Sequence, residues 1–292
     1  MSRAVVCYDG YSVDNLLYGG IELGGTKTLC SVGYGDDKII AREELPTTNP
    51  TETIERLANF FKGYPALGAL GVGSFGPVDI NPQSSRYGYI TTTPKAGWAN
   101  TDVLSLLAAT LNIPIKLDTD VNCAALGEYY FGAARNKKDF VYLTIGTGIG
   151  GAAMVNGRLL RGQMHPEMGH IRIPHNIDQD QFKGSCPYHN DCFEGLASGT
   201  AIAKRAAQKA ENVIDPIQWD LEANYLALGI SNLISIFSPE LVVVGGGVSM
   251  HGGLVEEVSF RVGLLLNSYV STPLIVSASV DNALLGAIKL AA

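Results

Sequence analysis

The 292-residue sequence has no Lys/Arg cluster: 21 basic residues stand against 28 acidic ones, a net charge of -7 with a pI near 5.2. A field of that sign repels nucleic acid and anionic membrane, so no nucleic-acid partner is expected and any phosphate must be bound by a local site. No apolar run approaches the roughly 18 to 20 residues that span a bilayer. The nearest, "YLALGISNLISIF", is interrupted, and no membrane association is expected. The start, "MSRAVVCYDGYSVDNLLYG", lacks a basic stretch followed by an apolar one and does not read as a secretion signal. Five cysteines, an odd count, suit a reducing compartment, and the expected location is the cytoplasm.

Apolar mass and glycine are what the chain has instead. Hydrophobic residues make up 46% and charged residues 17%, with mean hydropathy +0.14, enough for substantial cores, and the length favours two domains. The 34 glycines gather at the ends of β-type runs. "YGGIELGGTKTLCSVG" (18–33) and "FVYLTIGTGIGGAAMVNG" (140–157) each read as strand, Gly/Thr turn, strand, which suggests two similarly built halves. Between them, "PTETIERLANFFKG" sets Ile54, Leu57, Ala58 and Phe61 at helical spacing behind an expected Thr51 cap, and "NTDVLSLLAATLNIP" is a second helix ended by Pro114. A helical tract over 196–237, the buried strand "ELVVVGGGVS" and a last helix "DNALLGAIKLAA" follow. Alternating strands and helices predict an α/β architecture with mixed sheets. The expected division is an N-terminal extension, disordered or loosely docked, over 1–18, a first domain over 19–117, and a second over 118–281, with 282–292 returning to the first.

Three Gly-rich turns follow β-type runs: Gly24, Gly25, Thr26 and Lys27; Gly146, Thr147 and Gly148 within "GTGIGG"; and Gly245, Gly246 and Gly247. Glycine lets backbone amides approach a phosphate closely. None has Walker A spacing, and "GTGIGG" does not fit the dinucleotide fingerprint. Each alone reads as a structural turn; three in one chain point to a nucleotide site. In "LDTDVNCAALGEYYFG", Asp118 and Asp120 end a short strand before an Ala-rich helix. Such a carboxylate can open into a cleft or simply cap the helix.

"IELGGTK", "GSFGPVD", "TTPKAGW", "LDTDVNCAALGE", "LTIGTGIGGA", "HPEMGHI", "CPYHNDCFEGLASG" and "VVVGGGV" together resemble the ROK family of sugar kinases, above all its bacterial fructokinases. The resemblance runs from about Gly19 to the C-terminus. It implies an actin/hexokinase-like (ribonuclease H-like) ATPase fold, two α/β domains with an interdomain active-site cleft that takes sugar and MgATP. It implies further that the first two Gly-rich turns contact ATP phosphates and that the third lies near the adenosine. Asp120 matches the family's catalytic base, Glu167, His170 and Glu194 match sugar-contacting positions, and Gly76 and Pro77 match a loop beside the sugar. A homodimer is expected by the same analogy. The family often has Asp where this chain has Glu22, a residue whose part in holding magnesium the resemblance leaves open. Phosphorylation of D-fructose to fructose 6-phosphate is the expected reaction. Glucose, mannose or N-acetylmannosamine are alternative substrates, and ROK regulators, which carry a winged-helix region before the first Gly turn, are the alternative of another class.

"CPYHNDCFEG" (186–195) packs two cysteines, a histidine and two acids into one loop. Cys186, His189 and Cys192, with His170 sixteen residues before Cys186, supply two thiolates and two imidazoles, the donor set of a closed, structural zinc site. A Cys186–Cys192 disulfide and a nucleophilic thiol are the alternatives; a reducing compartment disfavours the first, and phosphoryl transfer to a hydroxyl requires no thiol. Cys30 and Cys123 sit in apolar context and read as core.

Overall fold

The structure, a computed structural model, describes residues 16–279 and 282–292. Most of the expected N-terminal extension lies outside the described residues, and the first strand begins at Leu17. The described chain forms two compact units. One comprises residues up to Asp79, Gln83–Asp120 and Ala287–Ala292; the other comprises Ile80–Pro82 and Val121–Gly286.

In the first unit β1 (Leu17–Leu23), β2 (Lys27–Gly33) and β3 (Ile39–Pro46) form an antiparallel meander. Helix α1 (Pro50–Lys62) then leads to β4 (Leu67–Ser74), which pairs parallel with β1. The small hairpin of β5 (Tyr89–Ile90) and β6 (Thr101–Asp102) and helix α2 (Val103–Leu111) precede β7 (Ile115–Thr119), parallel to β4. The order is β3-β2-β1-β4-β7. Antiparallel partners need only tight turns, whereas each parallel partner requires a crossover, which α1 and α2 supply. Strand β3 is one edge, and its exposed Arg42, Glu43 and Glu44 discourage pairing with another chain.

Helix α1 buries Ile54, Leu57, Ala58 and Phe61, as their spacing predicts. Its cap is Asn49 rather than the expected Thr51. Asn49 accepts the Glu52 N–H at 3.0 Å, and Pro50, which has no N–H to satisfy, fills the first helical position.

Helix α3 (Asp120–Tyr130) leads into the second unit, where the pairing plan repeats. Strands β8 (Phe140–Ile145), β9 (Ile149–Val155) and β10 (Arg158–Leu159) are an antiparallel meander. After the short helices α4 (Phe193–Ala197) and α5 (Gly199–Ala206) and the long α6 (Pro216–Phe237), β11 (Leu241–Gly245) pairs parallel with β8. Helix α7 (Leu254–Leu266) then leads to β12 (Leu274–Ser277), parallel to β11. The order β10-β9-β8-β11-β12 matches the first sheet strand for strand, so the two halves are built alike. Val141, Leu143, Ile145, Phe193, Leu196 and Ile230 are fully buried in this unit's core, where truncating a Leu or Ile to Ala costs about 2–5 kcal/mol.

The last helix, α8 (Asn282–Ala291), spans the last division between the units, at Gly286/Ala287. Its Ala287 carbonyl lies so close to Gly71 of β4 that any Cβ at position 71 would overlap it.

Glu222 of α6 is fully buried, and neither carboxyl oxygen has a hydrogen-bond partner. Burial pushes its carboxyl well above the usual range, and Arg205 only partly opposes this. Above the ordinary carboxylate value and up to the raised one, the folded state binds more protons than the unfolded state, so stability falls as pH rises through that window. Gln carries no such penalty. Glu222→Gln is therefore expected to melt higher than wild type near pH 8 and to converge on it near pH 4, in melts taken across the range. A variant less stable than wild type near pH 8 contradicts this.

Candidate functional site

The parallel strands gather the sequence-predicted residues at the same end of each sheet. Strands β1, β4 and β7 are mutually aligned, with Leu23 beside Ser74 and Ser74 beside Thr119. The Gly24 turn, the Gly76–Pro77 loop and Asp120 thus all follow the carboxyl ends of neighbouring strands, the usual location of ligand sites in α/β sheets. Asp120 is also the first residue of α3, where the helix dipole favours negative charge. Asp118 is different: it is fully buried, and its Oδ1 accepts the Thr119 N–H at 2.8 Å. Pro77, after a cis Gly76–Pro77 bond, is held through its carbonyl, which accepts from the N–H (2.8 Å) and Oγ1 (3.1 Å) of Thr91.

The first Gly turn is closed by the Gly24 N–H on the Lys27 carbonyl (3.1 Å) and steadied by Thr47 Oγ1 on the Gly24 carbonyl (2.8 Å). Gly25 faces open space. The Lys27 ammonium pairs instead with Glu44 at 2.9 Å, both groups being more than half exposed.

In the second unit, Gly245 of β11 stands beside Thr144 of β8, which brings the Gly146–Gly148 and Gly245–Gly247 turns to one sheet end. Gly246 has φ +88°, and a Cβ there would overlap the Ile145 backbone, so glycine is required. Hydrogen bonds from within the turn and from its neighbours fix the Gly146–Gly148 turn. The Gly146 N–H meets the Gly148 carbonyl (2.9 Å), Gly199 N–H the Gly146 carbonyl (2.7 Å), Thr200 Oγ1 the Thr147 carbonyl (2.6 Å) and Ile149 N–H the Glu194 Oε2 (2.9 Å). Sequence reading missed Gly199 and Thr200. Their signal was the run "ASGT" immediately after the Cys/His loop.

His170, Cys186, His189 and Cys192 converge, one donor atom from each lying within 4.8 Å of all the others. His170 Nδ1 is 3.7 Å from Cys186 Sγ and 3.6 Å from Cys192 Sγ, and His189 Nδ1 is 3.7 Å from Cys186 Sγ. Tetrahedral zinc with its usual Zn–S and Zn–N bonds requires S···N separations of about 3.6 Å, so the donors fit that ion in number, kind and spacing. The loop is shaped by paired backbone bonds between Cys186 and Asn190 (3.2 and 3.0 Å) and by Arg172, which donates to the His189 carbonyl (3.0 Å). Both cysteines are buried free thiols, and burial pushes Cys192 up to about 12, so zinc has to displace protons to bind.

With Nδ1 turned to the thiols, His170 directs Nε2 toward Glu167 Oε2, 4.0 Å away, while Glu167 Oε1 lies 3.6 Å from His165 Nδ1. Burial first, then the charge of Glu194, raises the Glu167 carboxyl to about 7. Burial, reinforced by His189 and opposed by Glu194, lowers His170. Glu167, His170 and Glu194 therefore form one electrostatic group beside the metal donors, and Glu194 also grips the Gly146–Gly148 turn.

No helix among the described residues is long and apolar enough to cross a membrane. A relative from Bacillus subtilis is 48% identical over 255 residues, 87% of this chain and 85% of its own length. A fructokinase from Zymomonas mobilis is 43% identical over 266 residues, 88% of each chain. The solved structure of a ROK hexokinase from Thermus thermophilus superposes with TM-score 0.78 at 28% identity, covering 94% of this chain and 97% of that one. The sequence profile of the ROK family matches residues 18–292, and with the doubled sheet plan and the convergent donor loop it establishes that this chain belongs to the ROK family.

Proposed function

We propose that the protein transfers the γ-phosphoryl group of MgATP to D-fructose, giving fructose 6-phosphate. The observation that carries this reading is 43% identity over 88% of both chains to a fructokinase. Asp120 is the general base: it takes the proton of the attacking sugar hydroxyl as that oxygen meets the phosphorus, from the start of α3 directly after β7. Glu167, His170 through Nε2, and Glu194 hold sugar hydroxyls, since carboxylates accept strongly and fix a polyol in one orientation. Glu194 Oε2 is engaged by Ile149, so sugar contact falls to Oε1. The amides of Gly24–Lys27 and Gly146–Gly148 receive phosphate oxygens, and Gly245–Gly247 borders the nucleoside. Magnesium arriving with ATP would supply charge neutralisation on the transferring group, and Glu22 is the candidate carboxylate that would lie near it. His170, Cys186, His189 and Cys192 are the residues that would hold zinc, which would cross-link the loop.

On this reading the domains are 19–117, to which 282–292 returns, and 118–281, which carries both the base and the zinc loop. A cytoplasmic location and a homodimer belong to the same proposal. The kinase reading is preferred to a transcriptional regulator because the relatives matched over nearly their whole length include a fructokinase and a hexokinase.

A coupled ADP-release assay over a hexose panel tests it. Fructose is expected to give the highest kcat/KM, with mannose or glucose secondary. A glucose preference of about tenfold, roughly 1.4 kcal/mol of transition-state binding, would reject fructose as the substrate.

A further inference from the structure

Helix α5 is a short rigid strut whose first residues grip the Gly146–Gly148 turn and whose penultimate residue is Arg205. The Arg205 side chain is only 5% exposed. Its Nε lies 3.2 Å from Asp180 Oδ2, Nη2 donates to the Leu196 carbonyl of α4, and the guanidinium lies over the rings of Phe182 (5.2 Å) and Tyr225 (5.5 Å). Asp180 belongs to the segment between the metal donors His170 and Cys186. It is 6% exposed and also accepts the Tyr225 hydroxyl (2.8 Å) and the Phe182 N–H (3.0 Å). From there the contacts run outward. The Asp180 carbonyl meets His175 Nε2 (2.9 Å), His175 Nδ1 is 3.6 Å from Asp191 Oδ2, and Asp191 Oδ1 pairs with Arg172 at 2.6 Å. Arg172 also holds the carbonyl of the metal donor His189.

We propose that Arg205 is a positioning residue that ties the His170–Cys192 loop to the Gly146–Gly148 turn, fixing the sugar-contacting groups relative to the phosphate-binding amides. It touches neither substrate. This rests on the proposed kinase function for its effect on turnover, but not for its effect on the loop. A buried guanidinium suits the role: it pairs its charge with Asp180 while Nη2 donates to the Leu196 carbonyl and its faces lie over two rings, which a lysine ammonium cannot reproduce. The α5 strut, eight residues or about 12 Å long, has little freedom to bend between its two ends. Misplacement of reacting groups by about 1 Å is enough to lower a rate by about 100-fold.

The test uses the full chain and three variants, Arg205→Lys, Arg205→Met and Tyr225→Phe. Hydrogen–deuterium exchange is measured over 171–192 and over the rest of the second unit, and kcat and both KM values are measured per folded molecule. Arg205→Lys is expected to speed exchange in 171–192 about tenfold with little change in the β8–β11 core, and to lower kcat about 10- to 100-fold with the ATP KM within threefold of wild type. Tyr225→Phe, which removes only one bond to Asp180, is expected to shift both readouts the same way by less, and it serves if the Arg205 variants do not fold. Exchange rising uniformly across the unit, or unchanged in 171–192, with wild-type kcat per folded molecule, overturns the proposal and leaves Arg205 a stabilising core residue. If wild type phosphorylates no hexose, the functional reading fails, and the exchange pattern still decides whether Arg205 holds the loop.

Discussion

Asp120→Asn is expected to lower kcat by about 10²- to 10⁴-fold, the usual contribution of a positioned general base, while fructose affinity by calorimetry stays within a few-fold of wild type. Asn keeps the shape and hydrogen-bonding capacity of Asp and removes only the basicity. The competing role, an N-terminal helix cap, makes the opposite forecast, because Asn and Asp cap equally well. Near-normal turnover in Asp120→Asn therefore removes Asp120 from the chemistry. Asp118→Asn is the control. Its buried Oδ1 serves the Thr119 N–H, a task that Asn also performs, so this variant is expected to keep far more of its turnover than Asp120→Asn does.

The second large effect is expected from the metal site. Zinc should co-purify at about one equivalent per chain, and Cys192→Ser should lose it, because a hydroxyl is a poor substitute for a thiolate in a closed tetrahedral set. The variant is expected to melt lower and to show a sugar KM raised about tenfold or more. The linkage is geometric: Glu194 follows Cys192 by two residues, and the Glu167 carboxylate faces the Nε2 of His170. Metal analysis, thermal melts and sugar titrations check these outcomes. Wild-type protein free of zinc, with a Cys186–Cys192 disulfide on mass spectrometry, would show that the loop is a covalent rather than a metal-linked staple.

The α/β class and the paired Gly-turn hairpins are legible in the sequence because they depend on local patterns: strand runs broken by glycine, and apolar residues at helical spacing in 50–62. The donor loop is legible because three of its four ligands lie within seven residues, and the family motifs point to the fourth. Contacts made at a distance are not legible. Arg205 and Asp180 carry no motif, and their meeting depends on the path of an irregular segment between His170 and Cys186. The Asn49 cap was missed because any of several neighbouring polar residues could serve, and Pro50 decides the register only once its missing N–H is counted. The ion pair of Lys27 with Glu44 of the neighbouring strand likewise follows from the β2–β3 register and not from any local pattern.

The close approach of Ala287 to Gly71 has a consequence for how the protein is made. The β4 strand of the first unit leaves the ribosome some 200 residues before the α8 segment that completes its packing. At a synthesis rate of about 5–20 residues per second, the nascent first unit therefore waits on the order of ten seconds or more with part of its apolar sheet face uncovered. Because the seat at Gly71 admits main chain against main chain and nothing larger, a substitution there would not merely loosen a finished protein. It would deny the late-arriving helix its place and prolong the interval in which the half-built unit is exposed to chaperones and to aggregation.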